Sequence, residues 1–398
     1  MNSRVLIVDN GAYEIKAGYS GDQTPRCVFN GIAKSKKERK RVFLSSELNE
    51  CKDFAGLFFV LPFQRGYIVN WDIEQQIWDN LFALLSVQPD ETTLMLTEPP
   101  MNFAGTQQDT YEIVFEQYEF AAAHIATAAA WSAVHYSTST PSAAGTCVVV
   151  DCGFSFSHVV PFVCARPVTG ATKRISVGGK LLTNQLKEII SYRQLHVMEE
   201  TYIMNQCKED VCFVSDDFAR DMRACRSSAK NNELECQYVL PDFVDHKRGY
   251  KLASTDAVPS GQQSIRLNLE RFTIPELLLR PSDVGLNEAG VVESTVLAVT
   301  GGCPPASHAR LFNNVVLTGG SCAFPGFAER FRSELRSAAP DLYDVSVSVP
   351  PHPASYAWHG GRLLSQQESL LAQQTVSRGD YLEHGAQLCR TKFRQLLG

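Results

Sequence analysis

Two aspartates carry the most legible chemistry in this chain. Asp9 ends the apolar run Val5–Val8 and is followed two residues later by Gly11; Asp151 ends Cys147–Val150 and is followed by Gly153. A carboxylate at a strand end can hold a hydrated metal ion. A glycine two residues on lets backbone N–H groups approach an anion with no Cβ in the way. Each pair precedes a second β-prone run, Ile15–Tyr19 in one case and His158 onward in the other. Each therefore reads as a buried strand, a tight turn and a returning strand. The two copies are separated on the scale of a domain, which predicts two similar half-molecules closing on a shared phosphate.

Further elements are needed to position those turns. Asn70 opens a helical stretch with Ile73, Ile77, Trp78, Leu81, Phe82 and Leu85 on one face, and Thr93–Leu96 reads as a buried strand. Thr106 with Asp109 predicts a helix start, and the alanine-rich stretch to Trp131 predicts helix and core. In the second half, Gly178-Gly179 leads into a helix bearing Leu182, Leu186 and Ile190, and another helix carries Lys208 and Glu209. Val315–Thr318 runs into Gly319-Gly320, a turn whose bare backbone can lie against a flat ring or a phosphate, and equally a plain tight turn. Pro325 is expected as a first helical residue, followed by Phe327, Phe331 and Leu335 on one face. Periodicity disappears from Phe243 to Gln263, a polar stretch predicted to be mobile and to bind a partner through Tyr250 and Leu252. The tail from Ser377 reads as loosely held.

Composition narrows the class. At 398 residues the chain holds two or three domains, and 44% hydrophobic with 20% charged residues fits a globular protein rather than a disordered one. A net charge of −6 argues against nucleic-acid binding over the whole surface. The local exception is Lys34–Arg41, with six basic residues in eight, read either as a solvated loop or as a nuclear-import or phosphate contact. No apolar run reaches membrane-spanning length, and the 12 cysteines include no Cys-x-x-Cys pair. Reduced thiols, in nucleus or cytosol, are expected.

Taken in order, Asp9-Asn10-Gly11, Lys16-Ala17-Gly18, Asn70-Trp71-Asp72, Thr97-Glu98, Asp151-x-Gly153, His158, Lys208-Glu209, Leu240-Pro241-Asp242, Gly319-Gly320, Pro325-Gly326 and Trp358 resemble the actin family. The resemblance implies a two-lobed α/β fold, each lobe a ribonuclease-H-like five-stranded mixed sheet with flanking helices and a nucleotide cleft between them. Residues 1–144 would form the first lobe, with a small peripheral subdomain at about 30–68. Residues 145–340 would form the second lobe, with an insertion at about 243–263. Residues 341–376 would return to the first lobe, leaving 377–398 as a C-terminal tail. The same resemblance implies ATP with magnesium. Asp9, Asn10, Gly11 and Lys16 would form the first phosphate loop, and Asp151 and Gly153 the second, with Asp151 reaching the metal through water. Lys208 and Glu209 would face the adenosine, and Gly319, Gly320 and Phe324 would line the base.

The departures from the family bear on function. Actins carry a serine and a glycine where this chain has Ala12 and Tyr13, and Asp-Gly where it has Phe154-Ser155. The glutamine that positions the attacking water aligns with Ala128. His158 alone does not orient a water and reads as a hydrogen-bonded residue on a returning strand. ATP is therefore expected to bind without useful turnover. Motifs such as Leu61-Pro62-Phe63-Gln64 and Ile190–His196 resemble one nuclear class of actin-related proteins. That class implies a non-filamentous structural subunit of a SWR/SRCAP-type complex that exchanges a variant histone, with a heterochromatin role. Its expected partners are the remodeller ATPase and small accessory subunits, with a nucleosome or DNA contact, no membrane and no homopolymer. The expected location is the nucleus, and also the cytoplasm. The competing readings are an active ATPase of the actin/sugar-kinase fold and a cytoskeletal actin-related protein.

Overall fold

The strand Arg4–Asn10 lies at the middle of the first sheet because its residues from Leu6 to Asn10 are all buried, as befits a strand covered on both faces. The computed structural model describes residues 4–35, 42–44, 57–226, 232, 234–242, 246–253 and 256–393. In the first sheet, the strands run Arg26–Phe29, Glu14–Tyr19, Arg4–Asn10, Thr92–Glu98 and Ala122–Thr127, with Val376–Ser377 added at the far edge. In the second, the order is Arg166–Pro167, Ser157–Val163, Cys147–Cys152, Val315–Thr318 and Val347–Ser348, with Lys173–Ile175 also paired to Ser157–Val163. By sequence order both read 3-2-1-4-5 with one short strand appended. The two five-stranded cores of the expected two-lobed fold are thus present, each in mixed parallel and antiparallel pairing.

Two small sheets ride on these lobes. Ile32–Ser35 pairs with Val42–Phe43 and with Leu57–Val60 in the first half. Cys236–Val239 pairs with Tyr250–Lys251 and with Ser264–Leu267 in the second. The latter sheet corrects the expectation of a mobile insertion for its described residues. Leu252 is buried, Arg248 pairs with Asp210 at 2.7 Å, and the Tyr250 hydroxyl donates to Gln262 Oε1 at 3.3 Å. Of the basic run, Lys34 lies in a strand, whereas residues 36–41 fall outside the described residues.

Local chemistry explains most element ends. Asn70 caps the helix Trp71–Leu84 by accepting the Ile73 N–H at 3.1 Å. The start expected at Thr106 lies inside the helix Ala104–Glu112, because the chain turns at Met101 (φ 58°) and Asn102 Oδ1 accepts the Phe103 N–H. Ala122–Thr127 is a strand, not helix, and the helix Ala128–Ser139 begins only after it. Parallel pairing with Thr92–Glu98 outweighs alanine's helix propensity. Pro325 stands ahead of its helix, which runs Phe327–Ala338, because Gly326 (φ 82°) cannot continue a right-handed helix backward.

The lobes share a base. Ile7 and Met95 of the first sheet and Val149 and Val316 of the second pack with Trp131 and Trp358 in one core cluster. Trp358 Nε1 donates to Ile7 O at 3.2 Å. The helix Tyr356–Ser365 lies against Ala128–Ser139 so closely that a Cβ on Gly360 would come within 1.8 Å of Trp131 O. The second lobe extends past the expected boundary at 340, since Val347–Ser348 still pairs with Val315–Val316. The tail is not loose over 377–393; residues 394–398 lie outside the described residues. Val376–Ser377 joins the first sheet, and Arg378–Phe393 buries Tyr381, Cys389 and Phe393 in that lobe's core, with Tyr381 stacked on Phe115. Its apolar positions are too widely spaced to read as a helical face.

Candidate functional site

Both Asp-x-Gly turns open onto one cleft of about 510 Å³ between the lobes. Asp9 sits opposite Lys16 in the first hairpin, and Asp151 sits opposite His158 in the second. All the residues expected around a nucleotide line this cleft: Asp9, Asn10, Gly11, Lys16, Asp151, Gly153, Lys208, Glu209, Gly319, Gly320 and Phe324. Ala128 lines it as the first residue of its helix, with Ser132 one turn further on.

The first turn rests on a buried polar network. Thr97 Oγ1 donates to Asp9 Oδ1 at 2.9 Å and accepts the Asn10 N–H at 2.8 Å. Asn10 Nδ2 donates to Glu74 Oε1 at 2.6 Å, and Asn30 Nδ2 donates to Gly11 O at 3.0 Å. Glu74 Oε2 and Asn30 Oδ1 each lack a hydrogen-bond partner among the described residues. Burial pushes the Glu74 carboxyl up to about 7, against the pull of Asn10, Asn30 and Trp78. Sequence alone does not single out Thr97, Glu74 or Asn30 as site residues. Thr97 stands in a family motif, while Glu74 shows only as one acidic residue in a helical first turn.

Burial works against charge at the mouth of the turns. Asp9 is raised by burial, opposed by Lys16 and the Thr97 bond. Asp151 is pushed to about 6 by burial and then by Asp9, with Lys16 opposing. Lys16 Nζ itself donates to Glu14 O at 3.1 Å and lies 3.7 Å from Glu14 Oε2. His158 is lowered to about 4 by burial and by Arg174, so it is neutral. Its ring meets Phe156 edge-on at 6.2 Å rather than taking a role at the turn.

A triphosphate does not fit the turns as this chain builds them. Tyr13 of the first turn and Phe154 of the second lie with ring centroids 4.7 Å apart, so the gap that phosphates would span is filled by aromatic carbon. The Lys208 ammonium, expected at the adenosine, donates to Gly179 O at 3.1 Å, Thr183 Oγ1 at 3.0 Å and Asn205 Oδ1 at 2.7 Å. All three of its hydrogens are engaged, and burial lowers it to about 8. Glu209 accepts from Asn205 Nδ2 at 2.8 Å. On the diglycine side, Gly319 (φ 90°) packs its backbone against the second hairpin, where an added Cβ would lie 2.5 Å from Cys152 O. In the sequence Tyr13 and Phe154 read only as a glycine and a carboxylate missing from the turns. In the fold they are a pair of rings that joins one turn to the other.

Among the described residues no cluster of His, Cys, Asp or Glu could hold a metal, every described cysteine is a free thiol, and no helix is long and apolar enough to cross a membrane.

Comparison with known proteins agrees with the geometry. A family model described as Actin matches residues 1–394. Actin-related protein 6 of Drosophila melanogaster is 40% identical, over 97% of this chain and 99% of that protein. Actin-related protein 6 of Arabidopsis thaliana is 35% identical, over 98% and 99%. The Dictyostelium discoideum protein of the same name is 32% identical, over 98% and 94%.

Proposed function

The chain belongs to the actin family, and from that premise we propose that it is a non-filamentous structural subunit of a nuclear chromatin-remodelling assembly of the SWR/SRCAP type. The observation that carries this reading is the cleft. The family match runs over residues 1–394, but the position that would hold an attacking water is Ala128, which has no hydrogen-bonding side chain. Hydrolysis requires a water held in line and activated. Losing such a group typically costs a few powers of ten in rate. A fold kept while its turnover groups are gone serves best as a shaped surface, and the relatives named actin-related protein 6 agree with the class whose motifs the sequence resembles.

In this reading the partners are the remodeller ATPase and its small accessory subunits, the product of the assembly is exchange of a variant histone, and a heterochromatin role follows from the same placement. Lys34–Arg41 contributes to nuclear entry or to a chromatin contact. Replacing Lys36, Lys37, Arg39 and Lys40 with Ser lowers nuclear signal or salt-sensitive chromatin retention; unchanged behaviour in both assays makes the run a solvated loop. The central test is affinity purification from nuclear extract with mass spectrometry. Recovery of a remodeller ATPase supports the proposal, and recovery of cytoskeletal proteins without one rejects it.

One observation favours a second reading. Asp9, Lys16 and Asp151 converge in the cleft as an ATPase would need. Phosphate release at the rate of conventional actin, abolished by Asp151→Ala, would put the enzyme first.

A further inference from the structure

Five aromatic rings cross from one lobe to the other above the cleft. Phe29 and Phe59 belong to the first lobe and its small sheet, and Tyr202 stands on the second-lobe helix Thr201–Val211. Phe59 stacks on Tyr202 at 5.1 Å with planes 16° apart, and Phe29 meets each of them edge-on at 5.7 Å. Tyr13 in turn meets Phe29 edge-on at 5.2 Å and lies against Phe154 at 4.7 Å. Beyond its ring, the Tyr13 hydroxyl comes near Asn205, the residue that also holds Lys208 and Glu209. One side chain thus joins the first turn to the second and to the helix expected at the adenosine.

We propose that Tyr13 and Phe154 form an aromatic bridge that holds the lobes closed in the place a triphosphate would take, so that closure of this cleft does not depend on nucleotide. A ligand closes a cleft by binding the closed state better than the open one. Here the bridging groups belong to the chain, so the closing contact is intramolecular and no free ligand concentration enters. Opening would part Tyr13 from Phe154 and draw it away from Asn205 at the same time. A second contact acts in the same sense along the cleft: Arg174 of the second lobe lies 4.8 Å over Phe156 and donates to the Tyr67 hydroxyl of the first lobe at 3.0 Å.

The test uses the full chain, with Mg-ATP as the probe. Unfolding midpoint and hydrogen exchange of the amides at 11–14 and 153–156 are followed with and without millimolar Mg-ATP. In the wild type neither changes. Tyr13→Gly with Phe154→Asp, which returns family residues to both turns, speeds exchange in both and tightens Mg-ATP binding by at least about tenfold. A rise in the wild-type midpoint with Mg-ATP, or added protection of its turns, overturns the proposal. So does a double variant whose turns stay protected, or one that gains no affinity. If the double variant fails to fold, Tyr13→Ser alone is read for the same loss of protection, and the wild-type titration decides without any variant.

Discussion

In the first hairpin Asp9 faces Lys16 across the strands, and in the second Asp151 faces His158. The last paired residues are Asn10 with Ile15 and Cys152 with Ser157, so each turn has the same length. Each aspartate also lies beside a threonine on the neighbouring parallel strand. Thr97 donates to Asp9, whereas Thr318, in register with Asp151, has an Oγ1 with no partner among the described residues. Behind the first turn lie Asn10, Asn30 and Glu74; the second turn carries Phe154 and Phe156. Backbone register is set by the sheets and has stayed the same in both. Register does not fix which side chains line a turn, so the linings can differ.

Substitutions can break that comparison or sharpen it. The largest effect is expected at Gly319. Alanine there would hold φ near 90° and drive its Cβ into Cys152 O and Asp151 Oδ1, at 2.5 and 2.6 Å. A loss of about 4 kcal/mol, read by urea unfolding, is expected. A loss below about 1 kcal/mol would show that the second hairpin yields.

Next come the paired threonines. Thr97→Val leaves a buried carboxylate and the Asn10 amide without partners and should cost about 3 kcal/mol. Thr318→Val removes a hydroxyl that bonds to nothing described and should fall within about 0.5 kcal/mol of wild type. Equal costs for the two would erase the asymmetry.

The third is a pH effect. Glu74 is raised in the folded state to about 7, so its contribution to stability is full below the ordinary carboxyl value and lost as pH rises through about 7. Wild-type stability should therefore fall between pH 5 and 8 by on the order of 2 kcal/mol from this group. Glu74→Gln keeps an acceptor for Asn10 and removes that part of the fall. Asp151, raised to about 6, gives its own loss over a lower range, which Asp151→Asn removes. Thermal melts across pH separate the two.

The smallest is Arg174→Ala, which removes an exposed cation from over Phe156 and should cost about 1 kcal/mol or less.

Much of the frame was legible because it rests on local signals. Val5–Asp9 and Cys147–Asp151 are apolar runs ending in a carboxylate, and Asn70 is a helix cap with no tertiary help. What escaped depends on distant partners. Ala122–Thr127 looks helical until the strand Thr92–Glu98 pairs with it. Tyr250–Lys251 is a strand only because Tyr238 and Val239 lie alongside. The residues at the cleft were legible as positions, yet their contacts were not. Nothing in the spacing of Tyr13 and Phe154 announces that their rings meet, since that depends on how two separately built lobes close.

The docked C-terminus has a consequence for how the chain comes to be folded. The first sheet begins with Arg4 but gains its far edge from Val376–Ser377, and its core includes Cys389 and Phe393. Synthesis runs from the N-terminus, and domains usually fold as they emerge. In this molecule the lobe that starts first finishes last, after the whole second lobe has left the ribosome. Until then Ala122–Thr127 offers an unpaired edge, and the apolar surface around Phe115 stands uncovered. A nascent chain in that state is a natural client for a chaperone, and a stop codon a few residues before Val376 would leave it one permanently.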